Sequence, residues 1–152
     1  MNNQYASFLA RVVAYFIDLF ILSGILTLLT YLGVLSFLGI EYDISQLGDA
    51  SYSLANNRGY MLFSLLLGIA YYASFQSSKW QATVGKKLLK IKVTTMEGRR
   101  IGFIRATVRY IVMFGLSSIF FIGYLLALFT PRKQALHDLI ARTVVVKDTH
   151  FK

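Results

Sequence analysis

The chain has 152 residues, of which 56% are hydrophobic and 15% charged. That charged share lies well below the roughly 25% of an ordinary soluble domain. It contains no cysteine, which excludes disulfides, thiolate metal sites and a cysteine nucleophile. The net charge is +9, but the bases flank long apolar runs. This fits the cytoplasmic face of a membrane and argues against nucleic acid as a partner.

At the start, MNNQYASFLAR has no basic region ahead of a short apolar core and no small-residue cleavage site, so no removable signal peptide is expected. The first apolar run begins before Asp18 and continues through 22 uncharged residues to Glu41. A span needs about 20 apolar residues, so residues 7–38 predict a first transmembrane helix. An outer loop over 41–58 carries Glu41, Asp43 and Asp49 against Arg58. The 20 uncharged residues between Arg58 and Lys79 predict a second transmembrane helix over 59–79. A basic loop follows over 83–104. Within it, KLLKIKVTTMEGRRIGF (87–103) reads as a strand, a turn at Glu97-Gly98 and a short second strand. The 22 uncharged residues between Arg109 and Arg132 predict a third hydrophobic segment over 105–130. In the tail, 131–152, the β-branched ARTVVVK (141–147) reads as a further strand.

Excess Lys and Arg stay on the cytoplasmic side. Lys79, Lys86, Lys87, Lys90, Lys92, Arg99, Arg100 and Arg105 face Glu97 alone, so the second loop and the N-terminus are expected inside. The basic tail also belongs inside, which three full spans would forbid. A third segment broken around Gly115, Ser117, Ser118 and Gly123 could enter and return on one side. Alternatively, those small residues only let helices approach closely. A strand from the tail would also stabilise a hairpin that is marginal alone. The expected fold is an all-α integral membrane protein: a transmembrane helical hairpin, a broken or re-entrant third segment, and a small cytoplasmic β element.

Charges inside the apolar runs are the candidate functional residues. Arg11 and Asp18 lie two helical turns apart on one stripe, about 10 Å along the axis. A carboxylate at mid-membrane costs at least about 3 kcal/mol, so Asp18 needs a partner. Side chains lean toward the helix N-terminus, which points Arg11 away from Asp18. The expected network joins Asp18 to Arg109 and Arg11 to Asp138, with Arg105, Tyr15 and His137 in support. Two roles are open: a static lock between helices, or an ion and proton site centred on Asp18.

WQATVGKK (80–87) fails as a phosphate loop, because Trp80 and Lys87 stand where glycine and Ser or Thr are required. Trp80 reads instead as an interfacial anchor, and Lys86 and Lys87 as contacts to anionic lipid headgroups. His137 and His150 are too few for a metal site. No cofactor, metal or enzyme activity is expected, since no nucleophile–base constellation can be read.

These pieces resemble a known family. Arg11 and Asp18 in the first helix, WQATVGKKLLKIKV (80–93), EGRRIGFIRATVRY (97–110) and LFTPRKQALHDLIARTVVV (128–146) are similar to the RDD family of small membrane proteins. That family is named for one arginine and two aspartates, here Arg11, Asp18 and Asp138. One departure is Lys90, where many relatives carry glycine. The resemblance implies transport, including exchange of monovalent cations for protons in some members, or an assembly part of a larger membrane complex. Two or three helices cannot enclose a midplane site, so a transporting form is expected to be a homo-oligomer. The expected location is the bacterial inner membrane, with both termini cytoplasmic.

Overall fold

A computed structural model describes residues 4–40, 58–117 and 122–148, with backbone alone at 116, 117 and 122–125. The molecule is mostly helical. Helix α1 (Phe8–Tyr31) begins at Ser7, whose hydroxyl accepts from the Ala10 N–H at 3.2 Å. This satisfies one of the donors a helix start leaves open. The single helix expected over 7–38 is in fact two. Gly33 takes φ 70, the left-handed region that closes a helix, and a short α2 (Val34–Phe37) follows. Leu35 of α2 is buried. Helix α3 (Arg58–Ser77) forms over the residues expected for the second span. Of the outer loop expected over 41–58, residues 41–57 lie outside the described residues and Arg58 opens α3.

The basic loop holds a helix that its sequence did not announce, α4 (Val84–Leu88), packed along α1. Strand β1 (Ile91–Thr95) follows. The expected return strand is absent. Thr95 N–H still donates to the Arg99 carbonyl at 2.8 Å across the turn. However, Ile101 turns into the core and α5 (Phe103–Ser117) starts too soon for a strand to form. Helix α6 (Ile122–Phe129) completes the third hydrophobic segment. Of the expected break, Gly115 and Ser117 fall within α5 and Gly123 within α6. Ser118 lies outside the described residues. Helix α7 (Leu136–Ile140) and strand β2 (Thr143–Lys147) end the described chain.

Strands β1 and β2 pair antiparallel from Ile91↔Lys147 to Thr95↔Thr143. The tail therefore supplies the partner strand. On the other edge of β2, Tyr5 bridges Val146, and Ala6 N–H donates to the Val145 carbonyl at 3.0 Å. The outer edge of β1 is also closed: Val93 N–H donates to the Gln81 carbonyl at 2.7 Å. With both edges occupied, so small a sheet gains the support a lone hairpin lacks. The start of the chain, the basic loop and the tail thus meet at one end of the molecule.

The core beneath this sheet consists of Ala6, Ala14, Ala73, Ile91, Val93, Ile101, Ala106 and Val145. So many alanines mean that helix backbones approach closely. Helices α3 and α5 pack extensively. Where they cross, the Tyr110 ring lies on Gly68, and a Cβ there would overlap its hydroxyl. Tyr110 in turn stacks on Tyr72, with ring centroids 4.9 Å apart.

Among the described residues one helix, α1, is long and apolar enough to cross a membrane; its most apolar window is only 11% buried. Phe16, Phe20, Leu28 and Tyr31 lie exposed along it, as do Met61, Leu62 and Leu66 on α3. Exposed apolar residues in this number suit lipid or a protein partner.

Candidate functional site

Asp138 is fully buried and sits between two arginines. Arg11 Nη1 donates to Asp138 Oδ2 at 2.7 Å, and Arg109 Nη2 reaches Oδ1 at 2.8 Å. The Ala135 N–H donates to Oδ2 at 3.2 Å and the Thr143 hydroxyl to Oδ1 at 3.3 Å. Arg11 Nη2 also donates to the Val145 carbonyl at 3.3 Å. One carboxylate thus joins α1, α5, α7 and β2. It is aimed there by the first turn of α7, where its backbone N–H contact caps the helix start.

Asp18 is equally buried but differently held. The Thr83 hydroxyl donates to Oδ2 at 2.5 Å. Oδ1 accepts from Gly85 N–H at 2.8 Å and from the Tyr71 hydroxyl at 2.9 Å. Tyr71 Oη itself accepts from Val84 N–H at 3.3 Å. The expected pairing of Asp18 with Arg109 does not form, because Arg109 is taken up by Asp138. Among the described residues, ion pairs form at Asp138 and Asp148 and none at Asp18. The cradle needs glycine at position 85. A Cβ there would press on the Ala14 carbonyl and come within 3.0 Å of Asp18 Oδ1. The stretch that failed as a phosphate loop therefore does hold an anion. Its backbone N–H and its hydroxyl grip a carboxylate of the same chain.

Of the other expected site residues, His137 is buried beside Asp138, with Nε2 3.7 Å from Oδ1. Tyr15 lines a cavity of about 310 Å³ with Tyr72, Tyr110, Ser23 and Ser64. Arg105 is exposed on α5 and stands apart from the cluster, a correction to its expected supporting role. Its place at the N-terminal end of α5 turns it outward, four residues before the buried Arg109. Lys86 departs most from expectation. It is buried, with Nζ 5.5 Å from the centre of the Tyr72 ring, and so does not face lipid headgroups. The packing of α4 on α1 turns it inward. Trp80 is exposed, and Lys87 Nζ sits 3.3 Å from its ring centre. Sequence reading missed Tyr71, Thr83, Gly85 and Thr143. Only the Thr-x-Gly spacing at the start of α4 could have signalled the cradle.

Burial alone would push the Asp138 carboxyl up, but Arg109, then His137 and Arg11, bring it down to about 2. It stays ionised throughout the physiological range. Burial lowers His137 to about 3, with the cations Arg109, Lys86 and Arg11 adding to the effect against Asp138. It is neutral at pH 7, so its contact with Asp138 is not an ion pair. Burial also lowers Lys86, and Arg109 and Arg11 reinforce this against Asp18 and Asp138, to about 8. The buried cluster holds three cations, Arg11, Lys86 and Arg109, against two carboxylates.

The sequence model of the RDD family matches residues 5–142, from the bridging Tyr5 to the turn before β2. The chain belongs to the RDD family. The arginine and two aspartates that the resemblance singled out, Arg11, Asp18 and Asp138, are the two buried carboxylates and the arginine bound to one of them. Relatives include the Proline-rich antigen homolog of Mycobacterium tuberculosis, 31% identical over 95% of this chain and 64% of the relative. The Uncharacterized protein YxaI of Bacillus subtilis is 36% identical over 57% of this chain and 56% of its own. The Uncharacterized protein RP437 of Rickettsia prowazekii is 34% identical over 62% of this chain and 56% of its own. The chain thus spans between half and two thirds of the length of these curated relatives. No solved structure matches it. Membership in this family, together with the exposed apolar α1, points to a membrane protein.

Proposed function

We propose that this RDD domain is a non-catalytic membrane module in which buried charges lock membrane helices to a cytoplasmic cap. One observation carries this reading: a single sealed carboxylate, Asp138, binds two arginines from different helices. A group held so firmly suits a fastener better than a proton carrier. In this reading α1 and α3 cross the membrane, and the α5–α6 segment enters and returns. Both termini face the cytoplasm, as in a bacterial inner membrane. The joining of Tyr5, β1 and β2 in one ribbon supports it, because the start of the chain, the basic loop and the tail must share a side. Reporter tags at residues 98 and 152 are expected on the same face; opposite faces would overturn the topology.

A second reading, exchange of a monovalent cation for a proton, rests on Asp18. It is a buried carboxylate without an ion pair among the described residues, and it lies one turn from Tyr15 in the cavity wall. Against it stands the cradle, whose Gly85 N–H can only donate and thus favours a bare carboxylate over a bound cation. Exchange would also require a homo-oligomer to enclose a path. One experiment separates the readings. Purified protein is reconstituted in vesicles, and sodium or potassium flux is followed under a pH gradient. The lock reading expects no flux, and loss of the folded protein in Asp18→Asn. Flux that vanishes in a folded Asp18→Asn variant would establish exchange.

A further inference from the structure

Four arginines that the buried cluster does not use converge at the cytoplasmic end. Arg99 and Arg100 follow the β1 turn, Arg105 stands in the first turns of α5, and Arg142 lies between α7 and β2. Together they line an open groove of about 690 Å³, with Glu97 as its single acid. All four are exposed, so their heads are free to reach a ligand. The groove also meets the N-terminal end of α5, which has no acidic residue in its first turn. Its helix dipole therefore adds to the positive field there.

Part of the wall of this groove is apolar. Ile104, Val108 and Ile140 line it and are exposed by 80%, 41% and 53%. Ile104, Val108 and Ile111 follow one another at spacings of four and three, so they form one stripe on α5 leading away from the arginines. Ile111 is 47% exposed. The groove thus offers guanidinium forks at one end and a track for a hydrocarbon chain along the helix. A free phosphate ion would use only the first part.

We infer that the Arg99–Arg100–Arg105–Arg142 groove binds the phosphate-bearing headgroup of an anionic glycerophospholipid, with an acyl chain lying along Ile104, Val108 and Ile111. Arginine suits this task because its planar fork meets phosphate oxygens two at a time. The inference rests on the chain residing in a membrane and is independent of whether the buried cluster locks or transports. It moves headgroup recognition from Lys86, which is buried, to the arginines of the turn.

The full chain would be placed in phosphatidylcholine nanodiscs doped with phosphatidylglycerol, and retained lipid read by native mass spectrometry after detergent release. The wild type is expected to enrich phosphatidylglycerol over phosphatidylcholine. Arg105→Gln with Arg142→Gln is expected to weaken that enrichment about 25-fold, at roughly fivefold per arginine. Unchanged thermal unfolding would show the fold intact, since both side chains are exposed. Lys79→Gln with Lys147→Gln removes the same charge elsewhere and is expected to leave enrichment in place. Ile104→Ser with Val108→Ser is expected to weaken phosphatidylglycerol binding while sparing inorganic phosphate. Equal loss in the lysine control would reduce the site to general electrostatics and overturn the proposal. Inorganic phosphate binding as tightly as the lipid would overturn it as well, by identifying a free ion as the occupant.

Discussion

Replacing Asp138 by Asn changes almost no volume but removes the charge that two arginines share. The carboxylate is 0% exposed, and neither Arg11 nor Arg109 is more than 4% exposed. Water cannot enter to compensate. Arg109 Nη1 already has no hydrogen-bond partner among the described residues, so the attachment of that guanidinium rests on Asp138. Stranding one charge of a buried pair costs about 3–5 kcal/mol. Two are stranded here, so a loss of about 5 kcal/mol or more is expected, against a total stability of about 5–15 kcal/mol for a domain. At about 2–4 °C per kcal/mol for a chain of this size, thermal loss of the helical circular dichroism signal in detergent should shift down by at least about 10 °C. The charge argument makes a sharper claim. Removing all three charges together, as Arg11→Met, Arg109→Met and Asp138→Leu, should yield a more stable protein than Asp138→Asn alone, because no arginine is then left buried without the carboxylate it paired with. If the triple variant is the less stable of the two, or Asp138→Asn melts with the wild type, the lock does not depend on charge balance.

Further expectations concern the surroundings of the cluster. Gly85→Ala should push α4 off the Ala14 carbonyl and open the Asp18 cradle, costing about 1–3 kcal/mol in a chemical unfolding titration. Acid should weaken the fold through His137, whose pKa falls from 6.5 in the unfolded chain to about 3 in the folded one. Because the folded state resists the proton, this part of the stability is present above pH 6.5 and is lost as pH falls toward 3. The slope is about 1.4 kcal/mol per pH unit, and stability measured against pH should flatten in His137→Gln. Lys90 holds φ 54, a conformation that glycine adopts more readily. Lys90→Gly is therefore expected to raise stability by up to about 1 kcal/mol in the same titration, and a fall would mean that the lysine side chain supports this turn.

From sequence alone, the apolar runs, the asymmetry of charge between loops and the strand-like stretches were legible. Hydropathy, charge and β-branching are local properties that need no knowledge of neighbours. The pairing of Arg11 with Asp138 could also be anticipated, since two stranded opposite charges in a membrane chain seek each other. The helix stop at Gly33 leaves a weaker signal, and the inward turn of Lys86 leaves none. The decisive choices belonged to tertiary structure. Asp138 took both arginines, whereas Asp18 was satisfied by neutral donors from Tyr71, Thr83 and Gly85. The tail, not the return of the hairpin, became the partner of β1. Each outcome is a competition between distant groups for one buried carboxylate or one strand edge. Such competitions are decided by distances of a few ångströms between segments far apart in the chain, which no local pattern records.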